Sequence, residues 1–156
     1  DMPAQLEVGR LDGYISWEPY CAQAIVAGTG QLLASSNDIW PGHPCCVLVA
    51  SRSFIIDKPS SVEKMVRAHV KATRFIQEHP KEAMTIAAKF TKLSLSVIEE
   101  SWHRILFDYE LKIEETRVFT ERLIEFDVIK TSDIPDIVKF IRDVFNTEFL
   151  KRASGL

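Results

Sequence analysis

Glycine is scarce in this sequence, with 6 among 156 residues, and proline occurs only 7 times. A chain so poor in both punctuators is expected to be mostly regular structure. Cysteine is scarcer still: three thiols, two of them adjacent, exclude a disulfide framework. No apolar run approaches the roughly 20 residues that cross a bilayer as a helix. The longest, Cys45-Cys46-Val47-Leu48-Val49-Ala50, has the length of a strand. A basic excess is missing too. The net charge is -3 and no cluster of Lys and Arg stands out, which argues against a nucleic-acid partner.

What is present is an ordinary folded balance, 46% hydrophobic and 26% charged, on a chain long enough to bury a core. In "LDGYISWEPYCAQAIVAGTG" (residues 11–30), a short apolar run meets Glu18 and Pro19. Proline lacks a ladder donor but fits the first turn of a helix, so the stretch reads as strand (14–17), sharp turn, helix (19–27), with Gly28 as a left-handed stop. Residues 31–35 read as a second strand. "SSNDIWPGHPCC" (35–46) is dense in turn formers. Residues 46–56 are the strongest strand candidate, because Val47, Val49, Phe54, Ile55 and Ile56 favour that geometry.

From Lys58 onward helical spacing takes over. Ser60 with Glu63 forms a capping box before Val62, Met65, Val66, His69, Val70, Thr73 and Ile76. Pro80 opens a second helix, Ser96 with Glu99 a third, residues 116–125 a fourth. Asp133 caps the last, with Ile137, Val138, Ile141, Val144 and Phe145 on its inner face. Two or three short strands followed by about five amphipathic helices read as half of something.

"GRLDGYISWEPY" (9–20) and "CCVLVASRSFIIDKPSSVEKMVRAHVKATRFIQEHPKEAMTIAAKF" (45–90) carry a resemblance to the nitrate/sulfonate/taurine-type substrate-binding proteins of ABC importers. Trp17-Glu18-Pro19 stands where that family has a Trp-x-Pro-like turn. Pro59 with Val62, Ala72, and the step from His79 to Ala83 stand where it has Pro-x-x-Val and a long helix. The resemblance runs over roughly residues 3–148. It implies an α/β fold, a fragment of a periplasmic-binding-protein-like (type II) two-lobed structure with few short strands and about six helices. Only the carboxyl-terminal half is represented: 1–34 as the end of the second lobe, 35–57 as hinge crossing and strand, 58–156 as the helical return to the first lobe. An amino-terminal half is expected to precede it.

The expected ligand-binding residues follow from that placement. Ser16, Trp17 and Glu18 lie at the carboxyl end of a strand, where α/β sheets bind ligands, and offer an aromatic wall with polar groups. The alternative has Trp17 in the core and Glu18 serving the positive end of the next helix. Trp40, Gly42 and His43 fall where the resemblance puts the cleft rim; the alternative is a hinge loop stiffened by Pro41 and Pro44. A metal site is not expected, because Cys45 and Cys46 would point to opposite faces of a strand. No cofactor and no catalytic residue are expected.

The function implied is solute capture for an ABC importer, with a small anionic or nitrogen/sulfur-containing solute and the transporter permease as partners, at a periplasmic or extracellular, membrane-associated location. The rival is an enzyme of the thiamine-pyrimidine synthase type on the same fold. A third reading, the sensing domain of a transcription regulator, requires a helix-turn-helix upstream. The half-fold also implies exposed edges, so a homodimer is expected.

Overall fold

A computed structural model describes residues 1–155. Among these residues there is no strand, and ten helices make up 59% of them. They are α1 (Met2–Glu7), α2 (Tyr20–Val26), α3 (Ser36–Ile39), α4 (Arg52–Asp57), α5 (Pro59–Glu78), α6 (Pro80–Thr91), α7 (Leu95–Trp102), α8 (Ile113–Glu125), α9 (Ile137–Val144) and α10 (Glu148–Ser154).

The expected α/β architecture is thereby corrected. A strand exists through its ladder, and the three segments read as strands find no partner. Residues 14–17, 31–35 and 44–50 run without regular secondary structure. Phe54, Ile55 and Ile56, the most strand-like run, lie in α4 instead. Ser51 explains the change: its Oγ accepts a hydrogen bond from Phe54 N at 3.2 Å and starts a helical turn. Strand preference is a preference for a pleated, half-buried surface, and it yields when no such surface is offered.

The helices divide between two compact units. One comprises Asp1–Ser35 and Thr73–Asp108; in it α1 packs on α2, α2 on α7, and α7 on α6. Its core is built from small side chains, Ala22, Ala24 and Ala83, together with Val97 and Ile98. Small residues let helices approach closely, and Gly30 is part of the same economy of space. A Cβ there would meet Leu6 Cδ2 at 2.9 Å and Ala24 Cβ at 3.3 Å. The chain turns back beside α1 and α2 because this position is glycine.

The other unit comprises Ser36–Ala72 and the described residues from Tyr109 onward. It packs α8 on α9 and buries Val62, Val70, Ile134, Ile141 and Phe149. Thr116 and Thr120 are buried on α8, each hydroxyl donating to the carbonyl four residues back, Lys112 O at 2.8 Å and Thr116 O at 2.9 Å. That internal bond satisfies a hydroxyl that burial would otherwise penalise by about 1–3 kcal/mol.

Caps fix the helix ends. Ser94 Oγ accepts from Val97 N at 3.4 Å and Asp136 Oδ1 from Lys139 N at 2.9 Å. The expected caps, Ser96 and Asp133, lie two and three residues to either side of the true ones, each within a cluster of competent capping residues.

Candidate functional site

The expected site residues belong to both units: Ser16, Trp17 and Glu18 to the first, Trp40, Gly42 and His43 to the second.

The first group forms a polar knot at the start of α2. The Glu18–Pro19 peptide is cis, and Glu18 uses both carboxylate oxygens. Oε2 accepts from Ala22 N at 3.1 Å, satisfying one of the helix's unpaired first-turn donors. Oε1 accepts from Arg104 Nε at 2.5 Å. Arg104 follows α7, and its Nη1 donates to Glu100 Oε1 at 2.8 Å. The α2–α7 packing brings these groups together. Glu18 and Arg104 are largely buried, with side-chain exposures of 11% and 18%. Burial works against the Arg104 charge, but the bonds to Glu100 and Glu18 outweigh it and hold the guanidinium above its ordinary range.

Two donors in this knot have no partner among the described residues: Arg104 Nη2 and Ser16 Oγ are both buried and unbonded. Such groups in a folded protein ask for a ligand or a water. Around them, Tyr14 OH donates to Tyr20 O at 2.8 Å and Cys21 Sγ to Ser16 O at 3.5 Å. Burial pushes the Tyr14 hydroxyl up, with the charges of Cys21 and Glu18 adding to it; burial and then Glu18 push the Cys21 thiol up. Trp17 is 70% exposed and meets Tyr20 edge to face, centroids 5.9 Å apart. It is not a core residue. Of the readings left open, Glu18 serves the following helix, and Trp17 offers its ring to solvent.

The second group is a short loop after α3. Asn37 Oδ1 accepts from Gly42 N at 3.1 Å, and Gly42 adopts φ +71°, a conformation glycine reaches without strain. Trp40 O accepts from His43 N at 3.3 Å and lies 3.0 Å from His43 Nδ1. The Trp40 ring stacks at 5.7 Å on Phe119 of α8. Turn chemistry and one aromatic anchor account for all three residues' positions.

Sequence reasoning missed Arg104. Its spacing from Glu100 marks a helical ion pair, but nothing in the sequence links it to Glu18. A depression of about 220 Å³ lies beside α1 and α2, lined by Glu7, Gln23 and Thr29 among others. It is smaller than the usual small-molecule pocket of roughly 300–1,000 Å³ and includes none of the expected residues. Among the described residues no three or more His, Cys, Asp or Glu side chains gather as a metal site, and no helix is long and apolar enough to cross a membrane.

Comparison with known families decides the broader question. The model of the NMT1-like family matches residues 1–92, which include the whole first-unit knot except its α7 side. The chain belongs to the NMT1-like family. Among curated proteins, it is 30% identical over 77 residues to the nitrate import ATP-binding protein NrtC of Synechocystis, covering 49% of this chain and 12% of that protein. It is 30% identical over 98 residues to the bicarbonate transport ATP-binding protein CmpC of the same organism, covering 62% of this chain and 15% of that protein. The CmpC of Synechococcus elongatus is 34% identical over 77 residues, again 49% of this chain and 12% of the relative. The chain thus spans only a small part of the curated relatives it matches. No solved structure gives a significant match.

Proposed function

We propose that this chain is part of the extracytoplasmic solute-binding component of an ABC import system, for a small anionic or nitrogen/sulfur-containing solute of the nitrate, sulfonate or taurine class. The observation that carries the reading is the family match over residues 1–92, which falls on the Ser16–Trp17–Glu18 turn. The relatives' names support it, since they belong to nitrate import and bicarbonate transport. Those relatives are ATP-binding proteins, but this chain has no G-x-x-x-x-G-K-[ST] phosphate loop, so something other than a nucleotide site carries the likeness.

At the turn, Ser16 Oγ and Arg104 Nη2 are buried polar groups without a partner among the described residues, Trp17 exposes its ring, and Glu18 fixes the arginine. Trp40, Gly42 and His43 are proposed as ligand-binding residues of the other unit. The transporter permease is the macromolecular partner, and a second copy of the chain covers apolar surface. No catalysis is involved.

Calorimetric titration of the full-length protein with nitrate, bicarbonate and taurine tests the proposal. Stoichiometric binding of one of them, weakened by Trp17→Ala, supports it. Absence of binding to all three, or turnover into a product, overturns it.

A further inference from the structure

Adjacent cysteines in a strand point to opposite faces, but residues 44–50 form no strand. Cys45 Sγ and Cys46 Sγ lie 3.6 Å apart, both residues are exposed, and neither is joined in a disulfide. The pair shares a hydrogen bond; that bond, then burial, pushes the Cys45 thiol up.

The separation selects what such a pair can hold. A bond from a soft centre to thiolate sulfur is about 2.3 Å, so two sulfurs 3.6 Å apart subtend an angle of roughly 100°. A linear two-coordinate ion would need about 4.6 Å between them. Zinc would need further protein ligands, and no third donor gathers here among the described residues. Closure to a disulfide is opposed by the backbone. Neighbouring Cα atoms are about 3.8 Å apart across a trans peptide, against the roughly 4.4–6.8 Å of ordinary disulfides.

A pyramidal trivalent centre that brings its own third substituent fits all four conditions. We propose that Cys45 and Cys46 form a vicinal dithiol site that captures trivalent organoarsenicals. The step is a ligand exchange without redox change. An R–As(OH)2 species loses both hydroxyl groups, two As–S bonds replace two As–O bonds, and each thiol proton leaves with a hydroxyl as water.

The test uses phenylarsine oxide, which hydrates to such a species, on the reduced full-length protein, read by intact mass. One phenylarsenic group per chain is expected, retained in excess monothiol and removed by a dithiol. Cys45→Ser and Cys46→Ser should each weaken retention by about 100-fold, the scale of a lost second attachment point. Cys21→Ser should leave it unchanged. Both serine variants lie on an exposed segment outside every helix, and circular dichroism checks that they fold. Absence of capture by the native chain, capture that survives either single variant, or capture that depends on Cys21 overturns the proposal.

Discussion

Arg104 Nε donates to Glu18 Oε1 across 86 residues of sequence, and the bond joins the turn before α2 to the residue that follows α7 by two positions. Three elements depend on it: the α2 first turn, the α2–α7 packing, and the Glu100 carboxylate. Arg104→Ala would leave two carboxylates facing each other with no cation between them. Breaking a buried pair costs about 3–5 kcal/mol, and partial solvent access places this one at roughly 2–3 kcal/mol. Urea denaturation of Arg104→Ala, Glu18→Gln and the double variant should show coupling above about 1 kcal/mol. Additive losses would mean that the two residues act separately.

Trp17→Ala should behave differently. With 70% of the residue in water, its removal should change stability by no more than about 0.5 kcal/mol. Thermal melting checks this, and a drop beyond 1 kcal/mol would show that the ring is packed.

In the second unit, Phe119→Ala removes the partner of the Trp40 ring. The expected loss is about 1 kcal/mol with a red shift of Trp40 emission, measured with Trp17 and Trp102 replaced by Phe. Unchanged emission would detach the loop from α8.

Alkaline pH should destabilise the chain through the first-unit knot. Cys21 and Tyr14 have folded values raised above their ordinary 9.0 and 10.0. Between the unfolded and folded values the native state holds protons that the unfolded chain has released, so stability is complete below about pH 9 and falls as pH rises through the folded values. The urea midpoint should decline above that point, and Cys21→Ala should make the decline shallower. A slope identical in the variant would assign the effect elsewhere.

Ser51 gives the sharpest check on α4. Ser51→Ala should cost about 1 kcal/mol, as the loss of a helix cap does. No change in stability would leave the 52–57 turn without its stated cause.

The long helices were legible because their signals are local. Pro59 and Pro80 stand at the first positions of α5 and α6, and the 3.6-residue spacing from Val62 to Ile76 lies wholly within one element. Phe54, Ile55 and Ile56 misled for the opposite reason. A strand is decided by a partner elsewhere, whereas Ser51 decides a helical turn from three residues away. The same holds at the site. Trp17 and Glu18 could be singled out from their own turn, but the cation that fixes Glu18 enters from a distant helix end. The sulfurs of Cys45 and Cys46 lie 3.6 Å apart because the strand that would turn them to opposite faces does not form.

The apolar side chains left in water have one more consequence. Ile15 at 97%, Leu33 at 90%, Phe90 at 87% and Val49 at 76% exposure are already hydrated in the folded single chain. Unfolding gains no new contact with water for them, and the heat-capacity increment of unfolding comes from newly wetted apolar area. The increment per residue should therefore fall below the usual ~12–15 cal/mol/K. A small increment flattens the dependence of stability on temperature, so this fold should loosen gradually on both cooling and warming rather than hold a sharp optimum.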